Sequence, residues 1–295
     1  MVKEKVMRIS TGETLEIEIQ TFKEKERNLR WIKLMQSRTE HSKLVGSFTF
    51  TLLTTVKELI KDIRFSEDEK TRLMFLGTYV NYAGDAYSRL QKRNGKPVFK
   101  KNLQSLLMMS NNKRFYAFYN KLVKYKIMLE VEGGELYWNS NYHFKGRPKQ
   151  TDKKAKNLIK LYDSQLRELY LMKDERGKQK YRPSNLFVLF VFLPFVNYET
   201  NLLSEDADKP ASETRPFLLS EVANRLGYSR SSSLKRKLKG IKLHNAPVFS
   251  IISESNNEYI RVNPYIIWRN NEDPSPAITE TFKATEDMLI KKKQA

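Results

Sequence analysis

Cysteine is absent from the 295-residue chain, and histidine occurs only at His41, His143 and His244. The first absence excludes disulfides, zinc ribbons, iron–sulfur clusters and thiol catalysis, and the scattered histidines offer no metal-ligand spacing, so neither metal nor cofactor is expected. No G-x-x-x-x-G-K-[ST] run exists, because Gly95-Lys96 is followed by Pro97. None of the fifteen tyrosines stands with an Arg-His-Arg set. No catalytic role is expected.

Long apolar runs are also missing. The longest, Leu186 to Val196, is interrupted by Pro194 and is about half the ~20 residues a bilayer span requires. The opening MVKEKVMRISTGETLEIEIQ lacks the apolar core of a signal peptide. A cytoplasmic protein is expected, with no membrane partner and with nucleoid or plasmid association following from its charge.

Carboxylates are scarce. The chain carries 54 Lys plus Arg against 34 Asp plus Glu, a net charge of +20. Between Asp85 and Glu130 lie 44 residues with no acid and eleven bases: Arg89, Lys92, Arg93, Lys96, Lys100, Lys101, Lys113, Arg114, Lys121, Lys124 and Lys126. A second acid-free window, Val222 to Ser253, holds Arg225, Arg230, Lys235, Arg236, Lys237, Lys239 and Lys242. A soluble protein this basic meets nucleic acid or an anionic surface. With 40% hydrophobic residues it still has enough apolar surface to fold.

The two windows occupy matching places in a diverged duplication. LMFLGTYVNY (Leu73 to Tyr82) aligns with LFVFLPFVNY (Leu189 to Tyr198) at an offset of 116. Phe99, Leu103, Leu107, Ser110, Phe115, Tyr119 and Leu122 then align at 119 with Leu218, Val222, Leu226, Ser229, Leu234, Leu238 and Ile241. Trp138-Asn139-Ser140 through Phe144-Lys145 aligns at 124 with Val262-Asn263-Pro264 through Trp268-Arg269. A repeated period of this kind implies a repeated structural unit.

Each unit opens with a long apolar helix, announced by a Ser66/Glu69 capping box in the first and by Pro183-Ser184 in the second. A short amphipathic helix follows, PVFKKNLQSLLMM or PFLLSEVANRLG, and then a polar break in which Ser110 and Ser229 are expected N-caps. The third helix places Phe115, Phe118, Tyr119 and Leu122, or Leu234, Leu238 and Ile241, on one face. A hairpin ends the unit, turning at Gly133-Gly134 or at Asn256-Asn257. The expected fold is mainly α with small β-hairpins (α+β): two tandem winged helix-turn-helix units joined by a helical linker.

Domains are expected at residues 1–45 (an N-terminal extension with a strand at Thr14 to Ile19), 46–147 (first unit, with an amphipathic helix from Phe48 to Ile63 ahead of its capping box), 148–182 (basic helical linker), 183–270 (second unit) and 271–295 (loosely held tail). The partner this predicts is double-stranded DNA. A second copy of the chain and host replication or transcription proteins are further partners the pattern permits.

A major groove admits one helix, whose short polar and basic side chains read base edges. The candidates in the first unit are Asn111, Asn112, Lys113, Arg114, Tyr116, Asn120 and Lys121, and in the second Ser229, Arg230, Ser231, Ser232, Lys235, Arg236 and Lys239. Arg114, Arg230 and Arg236 suit guanine, and Asn112 and Asn120 suit adenine. Lys100, Lys101, Lys124 and Lys242 suit phosphates, as do Lys145, Arg147 and Arg269 at the wing ends. The bland alternative is a solvated helical face. Phe115, Phe118 and Tyr119 read as core rather than as stacking platforms.

The stretch TGETLEIEIQTFKEKERNLRWIKLMQ, the apolar helix, the helix-turn-helix from Leu103 to Leu122 and a wing closing on WNSNYHFKG resemble the RepL-type replication initiators of Firmicute plasmids and related phages. The Asn-Pro of that pattern stands at Asn263-Pro264-Tyr265-Ile266-Ile267, whereas the first unit has Asn139-Ser140-Asn141. The doubled unit also resembles iteron-binding theta-plasmid initiators. The resemblance implies an initiator or regulator of plasmid or phage replication. A transcriptional regulator and, in another class, an RNA or single-stranded DNA binder are the alternatives.

Overall fold

The computed structural model describes residues 2–7, 14–19, 40–82, 86–146 and 157–294. The chain divides into two compact units, Met1–Lys43 and Leu44–Ala295. In the first, β1 (Val2–Met7) pairs antiparallel with β2 (Thr14–Ile19), Val2 opposite Ile19 and Met7 opposite Thr14.

The second unit is mixed α+β, built from several small antiparallel sheets. After α1 (Glu40–Val45), strand β3 (Phe48–Leu52) runs without a break into α2 (Leu53–Lys61). The alternating Phe-Thr-Phe-Thr suits a pleated strand, in which successive side chains take opposite faces. The single helix expected from Phe48 to Ile63 is therefore a strand followed by a helix. Likewise β8 (Leu158–Tyr162) continues into α6 (Asp163–Leu171), so the expected linker helix begins with a strand.

These strands are the centre of one sheet of order β13–β8–β3–β7, whose edges are β7 (His143–Phe144) and β13 (Ile267–Trp268). Phe50 pairs with Lys160, Phe144 lies outside Phe50, and Trp268 lies outside Lys160. Phe144 and Trp268 are the residues matched at offset 124. The sheet is thus symmetric about the Phe50–Lys160 pair.

Behind it α3 (Glu67–Gly77) packs on α7 (Pro183–Phe192). The Ser66 hydroxyl accepts from the Glu69 backbone N–H and the Ser66 N–H donates to the Glu69 carboxylate, so the capping box starts α3; Pro183 starts α7 from a first-turn position.

The backbone pattern recurs beyond these helices. Leu90 N–H donates to Leu136 O and Leu203 N–H to Ile260 O, while Val98 N–H donates to Leu90 O and Phe217 N–H to Leu203 O. Next come α4 (Lys100–Leu106) and α5 (Asn112–Lys124), matched by α8 (Leu219–Arg225) and α9 (Ser231–Gly240).

The first hairpin is β5 (Met128–Glu130) and β6 (Leu136–Asn139), with β4 (Tyr87–Arg89) on the other side of β6. The second is β11 (Phe249–Glu254) and β12 (Asn257–Val262), preceded by the paired β9 (Lys242–Leu243) and β10 (Ala246–Pro247). Gly133 and Gly134 turn the first with φ of 87° and 78°. The second turns on Ser255 and Asn256, φ 47° and 67°, one residue earlier than expected.

Thr49, Thr51, Ile159 and Leu161 are buried on one face of the central sheet, toward the main core. The other face carries Phe48, Tyr162 and Trp268, covered by Ile278, Phe282 and Leu289 of the C-terminal segment. That segment, expected to be loosely held, forms α10 (Pro276–Glu280) and α11 (Lys283–Gln294). Burying a side chain such as Phe282 gives roughly 2–3 kcal/mol, enough to hold a short helix that would be marginal alone.

Candidate nucleic-acid interface

Helix α5 buries Phe115, Phe118, Tyr119 and Leu122. The helical period then sends Lys113, Tyr116, Ala117, Asn120 and Lys124 outward, and all five are exposed, Tyr116 at 52%. Asn111, not Ser110, is the N-cap: its Oδ1 accepts from Arg114 N–H at 2.9 Å. Gln104 Nε2 donates to Asn112 Oδ1 at 2.7 Å across the turn between α4 and α5. Asn111 and Asn112 are therefore engaged in holding the turn, which leaves Asn120 as the outward amide of this helix. Arg114 is exposed on the flank of the stripe, and Lys101 on α4 is exposed too.

Helix α9 buries Leu234 and Leu238 and turns Ser232, Arg236 and Lys239 outward, all exposed. Its N-cap is Arg230, with no side-chain cap bond, so Ser229 does not take the expected capping role. Ser229 and Arg230 are exposed, Ser231 half-buried, and Lys242 exposed just past the helix end. Neither helix contains a carboxylate.

Several expected contact cations are committed elsewhere. Lys121 Nζ donates to both Glu69 carboxylate oxygens at 2.9 Å and to Arg64 O at 2.8 Å, which ties α5 to the start of α3. Lys100 pairs with Glu130 at 2.9 Å, and Tyr119 Oη donates to the same carboxylate. The Tyr119 hydroxyl bond and then Lys100 hold the Glu130 pKa below its ordinary value. Lys235 pairs with Glu258 of β12.

The cations expected at the hairpin ends, Lys145 and Arg269, form ion pairs within the fold. Lys145, 12% exposed, pairs at 2.6 Å with Asp163, which is 1% exposed and also accepts from Thr49 Oγ1 at 2.7 Å and Ser47 Oγ at 3.0 Å. Burial raises the Asp163 pKa even against Lys145. Arg269, 3% exposed, pairs with Asp208 and donates to Val196 O at 3.1 Å. Both cations expected at phosphates are thus paired within the fold, each with its own carboxylate. Arg147 lies outside the described residues. The hairpins also carry Glu130, Glu132 and Glu135, or Glu254 and Glu258, the wrong sign for a phosphate backbone.

The structure thus collects Lys113, Tyr116, Asn120 and Lys124 on one outward stripe and Ser232, Arg236 and Lys239 on another. Such faces offer hydrogen bonds and positive charge. Sequence reading missed Tyr181, which joins the segment before α7 to the end of α9; a lone tyrosine next to Arg182-Pro183 carries no signal of that contact. Among the described residues no group of three His, Asp or Glu could hold a metal ion. Nor is any described helix long and apolar enough to cross a membrane. No family model, curated protein or solved structure matches the chain.

Proposed function

We propose that the chain is a sequence-specific double-stranded DNA-binding protein. In this reading each half of the second unit is a winged helix-turn-helix, α4–α5 with the β5–β6 hairpin and α8–α9 with the β11–β12 hairpin. One observation carries it: α5 and α9 occupy equivalent positions in two halves that share a sheet, and each presents an outward face of cations and hydrogen-bonding side chains without a carboxylate. A helix lying in the major groove needs that kind of face.

Arg236, with Arg114 and Arg230 beside the helix starts, would read guanine, and Asn120 adenine. Lys101, Lys124 and Lys242 would meet phosphates. The two stripes differ in sequence, so the two half-sites would differ as well. The resemblance to plasmid and phage initiators makes replication control the biological role we propose, with no reaction assigned to the chain itself. The exposed ring of Tyr116 favours one second reading, stacking on an unpaired base of single-stranded DNA or RNA.

The test is a footprint on the DNA around the protein's own gene, with random duplex, single-stranded DNA and RNA as competitors. Protection of repeated sites in or beside the coding region supports an initiator, and protection confined to a promoter a transcriptional regulator. No protection, with single strands competing best, overturns the duplex reading.

A further inference from the structure

The two halves differ where the second helix of one and its counterpart lead into the long apolar helix. In the first half, α2 and α3 are joined by five residues (62–66). In the second, α6 and α7 are joined by eleven (172–182), which fold into a small antiparallel turn with Lys173 bridged to Gln179. Asp174 builds that turn: its Oδ1 accepts from Arg176 N–H at 3.0 Å and Lys178 N–H at 2.9 Å, and Gly177 supplies the left-handed φ of 73°.

This arm is fastened to α9. The Tyr181 hydroxyl donates toward Gly240 O at 3.2 Å and Lys242 O at 3.0 Å and accepts from Lys242 N–H at 2.9 Å. In the first half the place of Tyr181 is taken by Phe65, which has no hydroxyl, and the neighbouring cations are neutralised, Arg64 by Asp62 at 2.6 Å and Lys121 by Glu69. The arm is different: Lys173, Arg176, Lys178, Lys180 and Arg182 are all exposed. Asp174 spends its carboxylate on the turn, leaving Glu175 as the one acid there facing solvent without a backbone role.

We infer that the 172–182 arm is an additional contact with the phosphate backbone, extending the Arg236–Lys239–Lys242 side of α9 and specific to the second half. The inference rests on the duplex-binding reading above. The arm would add affinity and salt dependence, and no sequence preference, because its cations sit on a turn beside the helix end rather than on the outward stripe.

The test compares the full-length wild type with the R176A/K178A/K180A chain, on the footprinted duplex and on random duplex, across a series of salt concentrations. Each phosphate contact contributes about 0.9 to the slope of log affinity against log salt, so the variant should lose roughly 2–3 from the slope on both duplexes with their affinity ratio unchanged. In a hydroxyl-radical footprint it should lose backbone protection only beside the half-site affected by R236A. A variant slope equal to wild type, or protection weakened evenly over the whole site, overturns the arm while duplex binding stands. A wild type without a salt-dependent duplex affinity overturns both. The three substituted side chains are exposed, and an unchanged unfolding midpoint verifies that the variant is folded.

Discussion

Phe50 and Lys160 face each other across the β3–β8 ladder, and each stands three residues before the helix that its strand runs into. Equivalent residues of the two halves therefore pair with one another at the centre of the sheet. Backbone hydrogen bonds of the β13–β8–β3–β7 sheet thus join the two halves directly.

Lys160 is a costly residue for that centre. Burial lowers its pKa to about 8, and its ammonium finds Asn270 O at 2.6 Å and the Phe48 ring at 5.4 Å. A folded-state pKa below the ordinary lysine value means that the charged form is disfavoured by folding at neutral pH. K160M should raise stability at pH 7 by about 1–2 kcal/mol, discounted for the exposure that remains. Urea unfolding checks this; a lower midpoint would show the Asn270 bond to outweigh desolvation.

Gly77 owes its place to His143. A Cβ on Gly77 would lie 2.3 Å from His143 Cγ, and both residues are buried. G77A should destabilise by about 3 kcal/mol, the upper range for overpacking a core. Adding H143A should recover part of that loss, as residues sharing one space couple. Strictly additive losses in the double variant would contradict the contact.

The same histidine makes stability depend on pH. His143 is fully buried, its Nδ1 accepts from Trp138 Nε1 at 3.1 Å, and burial lowers its pKa to about 3. Because this folded pKa lies below the unfolded one of about 6.5, the unfolded chain binds the proton first as pH falls. The neutral ring's contribution is present above about pH 6.5 and is lost from there down to about pH 3, reaching about 2 kcal/mol of loss by pH 5. Urea midpoints at pH 7 and pH 5 measure it, and equal values would refute it.

Lys145 is a fold residue. K145A strands the buried Asp163 carboxylate and should cost about 3 kcal/mol of stability. Under the duplex-binding proposal, the salt dependence of DNA binding by the chain that remains folded should equal that of wild type. A stable K145A with a shallower salt slope would return Lys145 to the DNA contacts.

Much of the repeated part was legible because the apolar spacing of helices survives divergence. The offsets 119 and 124 relate Val98 to Phe217 and Leu136 to Ile260, and these are the residues whose backbone bonds recur. β3 and β8 were not legible. Leu52 and Tyr162 are N-caps without a side-chain cap bond, so no start signal separates each strand from the helix that follows, and apolar residues continue through both.

The pairing of cations was not legible for a different reason. The partners of Lys145 and Arg269 are Asp163 and Asp208, distant in sequence, and nothing local distinguishes a buried cation from a solvated one. Lys113, Tyr116, Asn120, Arg236 and Lys239 were legible as outward residues because burial on α5 and α9 follows the helical period. The arm before α7 looked like more basic linker, since only the fold brings Tyr181 to the end of α9.

The most direct test of the duplex-reading proposal is a footprint of the wild type beside K113A/N120A on α5 and R236A/K239A on α9. The proposal predicts that each variant loses protection over a different half of the site and keeps the other. Loss of the whole footprint in both variants to the same degree, or its persistence in both, would contradict two separately reading helices.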